Sequence, residues 1–378
     1  MTAATILEGR LVLGDAVAGG RMSVANGWID AVELDPALDK GGPLFAPGFV
    51  DVHVHGWGGH DAMGDVGALD GMARALLGRG VTAFLPTAVT APLDILERFA
   101  DRVRAWRPAA PADGAEPLGF NLEGPFLSDA RRGAHDRNHL VAPADVPDEW
   151  IERMADGLAV TTIAPELPGA ADLIERLARR GVAVSLGHSA ADLDTSRLGY
   201  ARGARSTTHL FNGMPDIDHR SPGLAVAALE AEDVFVELIA DGNHVHPALW
   251  PLMARLKSRD RLMLVSDALS LAGMGDGRIR VGGLEVEVID GRATLAGTTT
   301  LAGSVIALDS AVRNLVAAGI GLPAAAAAAS ANPAALIGAT DRGRIAVGCR
   351  ADLIELDDAL LVGRVMRSGT WLDGDRPG

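Results

Sequence analysis

The residues best suited to chemistry are two histidines, His53 and His55, at the end of a mostly apolar run that begins at Leu44. We interpret residues 49–55 as a buried strand, and side chains two residues apart on a strand point to the same side. Two imidazoles on one side of a strand end can chelate one metal ion. The alternative is a pair of core histidines, but neutral histidines are seldom buried in pairs without a partner.

Other residues of metal-ligating or acid–base type end further apolar runs: Glu123, His188, His209 and Asp267. Each alone could be a hydrogen-bonded structural group, but their recurrence at run ends favours one site. Glu123, His188 and His209 offer one oxygen and two nitrogens with room for water, which is typical of catalytic zinc. Such a metal lowers the pKa of bound water towards about 7. Asp267 is then the candidate base that takes the water proton and returns it to the leaving group.

Eight apolar, strand-like runs alternate with amphipathic helical stretches, and this alternation predicts the elements that position these residues. The fold class is therefore α/β, a (β/α)₈ TIM-like barrel, whose catalytic groups gather at the C-terminal ends of the strands. An open doubly wound sheet is the alternative, but no G-x-G-x-x-G motif follows an early strand. The runs cover residues 49–55, 81–87, 118–123, 158–164, 182–188, 206–211, 234–240 and 262–267.

Short strands separated by turns occupy both ends of the chain. Residues 1–47 and 341–378 are predicted to form one small β-sandwich domain, with a hairpin at 276–297 as a candidate insert belonging to it. The barrel domain is predicted to span residues 48–340. The stretch 315–340 is uncharged and mostly alanine, but glycines and prolines interrupt it, so we interpret it as packed helices rather than a membrane span.

The amino-acid composition limits which binding partners and which cellular compartment we expect for this protein. The net charge of −15 opposes nucleic-acid binding, although an anionic substrate needs only local positive groups. The single cysteine, Cys349, excludes an internal disulfide and a cysteine-rich zinc site. The N-terminal residues carry no signal-peptide pattern. We therefore expect a cytoplasmic protein without nucleic-acid or membrane partners.

A set of short motifs carries a family resemblance that extends over essentially the whole chain. The chain is similar to the amidohydrolase superfamily and, within it, to the N-acetylglucosamine-6-phosphate deacetylases. The motifs are PGFVDVHVHG (47–56), LEGPF (122–126), GAH (133–135), GHS (187–189), THLFNGM (208–214), RSPG (220–223), DGNHV (241–245), LVSDA (264–268), LAGS (301–304), NPA (332–334) and GCRADL (348–353).

The resemblance implies roles for individual residues. Glu123, His188 and His209 match the main metal ligands, and His53 and His55 match a second metal site that some members have lost. Asp267 matches the catalytic acid–base group. Residues that match the substrate-binding positions are His135, at the acetamide carbonyl, and Asn212, Gly213, Arg220, His244, Leu301, Ala302 and Gly303. The counterpart of Arg220 reaches across a dimer interface, which implies a homodimer.

The implied reaction is metal-dependent hydrolysis of the acetamide of N-acetyl-D-glucosamine 6-phosphate, with one or two divalent ions per subunit. Zinc is the first candidate for the metal, with iron, manganese and cobalt as alternatives. The N-acetylgalactosamine 6-phosphate epimer is an alternative substrate. A cyclic-amide hydrolase is disfavoured, because many of these bridge two metals with a carbamylated lysine on strand four. Only Lys40 and Lys257 occur here, and neither ends a predicted strand. The non-enzymatic alternative is a sugar-phosphate-binding barrel, which would not need Asp267.

Overall fold

Eight parallel strands form the central sheet of this computed structural model, which describes residues 4–372. Each strand pairs with the next in chain order. The sheet closes where the backbone N–H of Asp267 donates to the His53 carbonyl at 2.9 Å and that of His55 donates to Ala268 at 2.9 Å. The strands are Phe49–Val54, Val81–Val89, Phe120–Glu123, Leu158–Ile163, Ala183–Leu186, Ser206–Thr207, Phe235–Leu238 and Leu262–Leu264. The barrel prediction is confirmed.

Several barrel strands end earlier than their apolar runs predict. The predicted runs continue to His188, His209 and Asp267, whereas the fifth, sixth and eighth strands end two or three residues before them. The reason is local backbone geometry, because these three residues have positive φ angles of 46°, 24° and 49°. A positive φ is incompatible with a strand and turns the chain away from it. Apolarity continues through this turn because the turn is itself buried.

Helices surround the barrel and pack their apolar faces on the strands. In Ala170–Arg179, for example, Leu173, Ile174 and Leu177 are buried while the arginines face outward. The other α-helices are Val66–Leu77, Leu93–Trp106, Asp148–Ala155, Leu193–Ala201, Leu224–Glu230, Trp250–Leu256, Leu308–Ala317, Leu322–Ala329 and Ala331–Leu336. Short 3₁₀ turns cover Pro36–Leu38, Arg107–Ala109, Asp129–Arg131, Arg137–His139, Pro143–Asp145 and Pro247–Leu249.

The interior of the barrel is filled with apolar side chains below the strand ends. Val50, Val52 and Leu85 from the first two strands meet Phe235 and Met263 from the last two. All five are at most 3% exposed. This packed plug confines solvent to the C-terminal mouth, which is where polar groups can face a ligand.

The two ends of the chain pair into one seven-stranded sheet, as the short terminal strands predict. Its order is Thr370–Leu372, Val362–Arg367, Leu353–Leu356, Leu44–Pro47, Thr5–Val12, Val17–Ala25, Trp28–Leu34. Leu44–Pro47 leads directly into the first barrel strand, so this sheet anchors the barrel entrance. The domain boundaries at 47/48 and 340/341 stay a prediction.

The segment predicted as a hairpin forms a three-stranded antiparallel sheet of its own, Gly277–Val281, Leu284–Ile289 and Arg292–Leu295. Within residues 4–372 it shares no strand pairing with the terminal sheet. We call it the mouth hairpin because its residues line cavities at the C-terminal end of the barrel.

Two further two-residue strands, Gly56–Trp57 and His60–Asp61, pair at the same end, and Glu116–Pro117 adds to the second barrel strand. None of the described helices is long and apolar enough to cross a membrane.

Candidate metal centre and active site

Three of the predicted site residues leave their strands in the left-handed backbone region. His188, His209 and Asp267 have φ values that non-glycine residues seldom adopt, and such strain concentrates at functional sites. Each follows a barrel strand directly or within a few residues, so the turn directs its side chain into the mouth. All three are at most 5% exposed. The backbone thus holds these side chains in a buried position that a regular strand would not provide.

The Glu123 carboxylate lies at the centre of the histidines. Its Oε1 is 2.8 Å from His209 Nε2 and 3.1 Å from His188 Nε2. Its Oε2 is 3.1 Å from His55 Nε2, and His53 Nε2 lies 3.5 Å from Oε1. One carboxylate therefore faces four histidines from three other strand ends.

Asp267 completes a second group of potential ligands on the strand-one side. Its Oδ1 is 3.1 Å from His55 Nε2 and 3.6 Å from His53 Nε2, and the two Nε2 atoms are 3.3 Å apart. His53, His55, Glu123 and Asp267 each offer a ligand atom within 4.8 Å of the others. The sequence predicts His53 and His55 as a pair but does not predict that Asp267 joins them.

A group on the other side contains Glu123, His188 and His135, again with ligand atoms within 4.8 Å of one another. His209, which the sequence analysis assigns to this ion, contacts Glu123 but is not a member of that tight group. Its Nε2 nevertheless faces the same carboxylate oxygen as that of His188. The structure thus brings the four predicted histidine ligands around the fifth, Glu123, and their individual roles stay proposals.

The hydrogen bonds of the outer ring nitrogens indicate that a cation belongs between these groups. His188 Nδ1 lies 2.8 Å from the Arg131 carbonyl and His55 Nδ1 lies 3.1 Å from the Thr87 carbonyl. A carbonyl can only accept, so each Nδ1 carries the proton, and the neutral ring then presents a lone pair from Nε2. Those lone pairs point at the Glu123 carboxylate. A divalent metal removes this repulsion, so the residues fit the metal that the sequence predicts.

Without a metal, the negative charges of this cluster favour protonation of His55. Burial lowers the pKa of His55, but hydrogen bonding and charge from Asp267 and Glu123 outweigh burial and raise it to about 9. Burial raises the pKa of Asp267, yet the hydrogen bond from His55 and the charge of His53 bring it below its ordinary value. Asp267 is therefore ionised near neutral pH and able to accept a proton.

His135 differs from the neighbouring histidines in which ring nitrogen carries the proton. His135 Nδ1 lies 2.9 Å from the Thr90 hydroxyl and accepts from the backbone N–H of Thr90 at 3.3 Å, which favours a ring proton on Nε2. Burial lowers the pKa of His135 to about 4, against the opposing charge of Glu123. His135 is thus a neutral hydrogen-bond donor at Nε2, 3.4 Å from Glu123 Oε2. This suits a contact with a carbonyl oxygen better than metal ligation.

A cavity of about 350 Å³ opens over the cluster and is large enough for a monosaccharide derivative. It contains every predicted substrate-binding residue except Arg220, which is exposed and outside the cavity of its own chain. The predicted residues that line it are His135, Asn212, Gly213, His244, Leu301, Ala302 and Gly303.

Gly213 also affects the position of a candidate metal ligand, His188. Its φ is +61°, and a Cβ there would lie 2.8 Å from His188 Nδ1. The backbone can approach the His188 ring this closely only because no side chain intervenes. Gly213 therefore contributes to the position of a candidate ligand as well as to the cavity wall.

Two residues of interest were missed by the sequence analysis. Arg292, at the start of the third strand of the mouth hairpin, lines the cavity and opposes protonation of His244. It is an exposed residue at the start of a short strand, so its sequence context carries no signal. Glu237 is fully buried in the seventh barrel strand, where it contacts His53 and His209. A charged residue inside an otherwise apolar run was a signal that could have identified it.

The fold and the ligand group together define a metal-dependent hydrolase of the barrel type, and comparison with known proteins agrees. The model of the amidohydrolase family matches residues 44–372. The chain therefore belongs to the amidohydrolase family.

Its relatives within that family are deacetylases of phosphorylated amino sugars. It is 40% identical to N-acetylglucosamine-6-phosphate deacetylase of Bos taurus over 350 residues, covering 89% of this chain and 85% of the relative. It is 36% identical to N-acetylgalactosamine-6-phosphate deacetylase of Escherichia coli O157:H7 over 361 residues, 94% and 93% of the two chains. A Mycobacterium smegmatis N-acetyl-D-glucosamine-6-phosphate deacetylase mutant, solved in complex with N-acetyl-D-glucosamine-6-phosphate, superposes with a TM-score of 0.88 at 35% identity, over 98% of this chain and 99% of that one.

Proposed function

We propose that this chain hydrolyses the acetamide of N-acetyl-D-glucosamine 6-phosphate to glucosamine 6-phosphate and acetate, as a step of amino-sugar catabolism. The observation that carries the proposal is the Glu123-centred ligand group with Asp267 and His135 at its edge, in one cavity. The relatives with 36–40% identity over most of the chain are deacetylases of this substrate class.

The residues divide the chemical work. A divalent metal, when bound, supplies a Lewis acid and an activated water. Asp267 accepts the water proton as the new C–O bond forms and returns it to the nitrogen as the C–N bond breaks. His135 donates its Nε2 proton in a hydrogen bond to the carbonyl oxygen, which stabilises the negative charge that develops there. Protonation of nitrogen matters because an amide anion is a poor leaving group.

The metal is proposed to be zinc, because imidazole and carboxylate ligands suit zinc well, although they also suit iron, manganese and cobalt. His188, His209 and Glu123 would hold one ion, and His53 and His55 a second beside it. The two groups of candidate ligands share Glu123, and we propose one or two ions per chain. Elemental analysis of purified protein should find one or two transition-metal ions.

Recognition of the phosphate is proposed to depend on cations at the outer part of the cavity, because a chain of net charge −15 repels anions on average. Arg292 lines the cavity, and no carboxylate pairs with it among residues 4–372. His244 is held by Asp241, whose Oδ2 is 2.8 Å from its Nδ1. Burial lowers the pKa of His244, but Asp241 raises it overall. Arg220 would join this group from the partner subunit of a homodimer.

The second candidate substrate is N-acetyl-D-galactosamine 6-phosphate, favoured by the Escherichia coli relative, which aligns over 94% of this chain. The two sugars differ only at C4 and need the same ligand group, so cavity shape decides between them. The prediction of a cytoplasmic location also stays a prediction, which cell fractionation would test.

One experiment tests the proposal against its alternatives. Purified, metal-loaded protein is incubated with each 6-phosphate and with unphosphorylated N-acetylglucosamine, and acetate and free amine are measured together. We expect equimolar acetate and amine from the glucosamine derivative at the highest rate, and loss of both with the Asp267→Asn variant, which controls for contaminating enzymes. Binding of the sugar phosphates without acetate release would support the non-catalytic alternative and refute the proposal.

A further inference from the structure

Glu237 is a fully buried carboxylate that contacts both sides of the metal centre. It lies in the strand Phe235–Leu238, below the histidines. Its Oε2 accepts a hydrogen bond from the backbone N–H of His209 at 3.0 Å and lies 3.1 Å from His53 Nδ1. Burying a carboxylate costs free energy unless its charge is compensated. We therefore expect Glu237 to have a structural or a functional role.

The contact with His53 sets the direction of that ring. An ionised carboxylate only accepts hydrogen bonds, so His53 Nδ1 carries the ring proton and Nε2 presents its lone pair to the mouth. His53 Nε2 then faces Glu123 and Asp267, at 3.5 and 3.6 Å. The opposite tautomer would place a proton on Nε2 and prevent ligation of a metal.

The hydrogen-bond acceptor of His53 Nδ1 is a side chain, whereas the acceptors at two neighbouring histidines are backbone carbonyls. His55 and His188 donate from Nδ1 to the backbone carbonyls of Thr87 and Arg131. No substitution can remove those acceptors. Among residues 4–372 no hydrogen-bond partner faces His209 Nδ1, so no acceptor there orients that ring. What fixes His209 is its backbone, which has a strained φ of 24° and donates to Glu237.

From this geometry we propose that Glu237 is a positioning residue for both ions. It selects the metal-binding tautomer of His53 through a side-chain contact and restrains the strained backbone of His209 through the same oxygen. The inference rests on the proposed metal-dependent function and extends it, because it makes the occupancy of one ion position sensitive to a residue that ligates neither. Carboxylate–histidine–metal relays of this kind tune ligand basicity and orientation in other metalloproteins.

The test is Glu237→Leu, which keeps a side chain of similar size but offers no acceptor. Because both contacts are made by Oε2, this change removes the acceptor of His53 Nδ1 and the acceptor of the His209 N–H together. We expect affinity for the second zinc ion to fall about 10- to 100-fold, with a smaller effect on the first. Zinc content is measured after dialysis in buffers of graded free zinc. Cobalt-substituted protein gives an absorption spectrum as a second readout of ligand geometry.

Two controls separate positioning from general destabilisation. Glu116→Leu removes a partly buried carboxylate that pairs with Arg342 and Arg350, far from the mouth, and should leave both zinc affinities unchanged. In a His53→Gln background, Glu237→Leu should add no further loss at the second position, since it acts there through His53. If Glu237→Leu does not fold, Glu237→Asp, which keeps the charge with a shorter reach, is measured in its place with the same expectation.

The outcomes distinguish this inference from the proposed function. Wild-type protein that binds no divalent metal would overturn the proposed function itself. Wild-type protein that binds metal while Glu237→Leu keeps both zinc affinities and the cobalt spectrum would overturn only the role of Glu237. An equal additional loss in the His53→Gln background would also overturn it, because the effect would then not pass through His53.

Discussion

Removal of the metal should make the folding stability of this protein decrease as the pH rises from about 6.5 to about 9. The cause is His55, whose pKa in the metal-free protein is raised to about 9, because Asp267 and Glu123 outweigh its burial. A group with a raised pKa in the folded state stabilises the fold fully below its unfolded pKa, which is about 6.5 for histidine. That contribution is lost as the pH rises through the folded pKa. The pKa of His53 is raised as well, which acts in the same direction.

The size of the effect follows from the shift. A change from 6.5 to about 9 is about 2.5 pKa units, and one unit corresponds to about 1.4 kcal/mol, which gives on the order of 3 kcal/mol for His55. This is an upper value, because neighbouring charges relax when one proton leaves. With an unfolding entropy of about 2.1 cal/mol/K per residue, a chain of 378 residues would lose about 4 °C in Tm.

The assay is thermal unfolding of chelator-treated and zinc-loaded protein at pH 6.5 to 9. The metal-free protein should lose Tm across this range. The stabilisation added by zinc should grow with pH, because zinc must displace the protons on its histidine ligands. His55→Asn removes this titrating group and should reduce the slope of the metal-free curve, while His53 keeps part of it. A metal-free Tm that is constant or rises over this range, with the wild-type chain shown to be free of metal, would refute the reasoning.

The remaining predictions concern turnover and substrate binding. Asp267→Asn should keep the fold and most of the metal but reduce kcat about 10²- to 10⁴-fold, whereas near-normal turnover would assign the base elsewhere. His135→Ala should reduce kcat about 10²- to 10³-fold through loss of the oxyanion donor, with metal content unchanged; an effect on metal content instead would make it a ligand. Arg292→Ala should raise KM for the 6-phosphate substrate and leave unphosphorylated N-acetylglucosamine little changed, while Arg278→Ala on the same hairpin is the matched control; equal losses on both sugars would contradict a phosphate contact. Mixed dimers of Arg220→Ala and Asp267→Asn subunits should regain one intact site, and no recovery after confirmed subunit exchange would exclude a shared site.

The sequence predicted the barrel and the ligand group because both depend on a feature that is visible along the chain. Apolar runs mark the strands, and the residues that end them must meet at one rim once the strands are parallel. His53 and Glu123 lie within one residue of the ends of their strands, so the prediction of their proximity needed no further geometry. His188 and His209 also converge, although by a strained turn rather than by continuation of the strand.

The features that could not be predicted depend on contacts between distant segments. The close approach of Gly213 to His188 and the contact of Glu237 with His53 join residues that are 25 and 184 positions apart. The tautomer of His135 depends on the backbone N–H of Thr90, 45 residues away. Local periodicity contains no information about such pairs. The sequence therefore predicts which residues meet at the rim but not which ring nitrogen each presents.

The candidate metal ligands and the residues proposed to select the substrate come from different parts of the fold. The candidate ligands and Asp267 all come from the ends of barrel strands, and all are at most 5% exposed. Their charges compensate one another, so none is free to bind a phosphate. The groups proposed to bind the phosphate lie outside these strands: Arg292 on the mouth hairpin, Arg220 in the exposed loop that follows the sixth strand, and His244 in the loop that follows the seventh. These segments pack on the barrel but carry none of its strand pairing, so they can vary while the buried ligand group stays intact. The preference for one amino-sugar phosphate over another is therefore expected to reside in the hairpin and these loops, not in the residues that hold the metal.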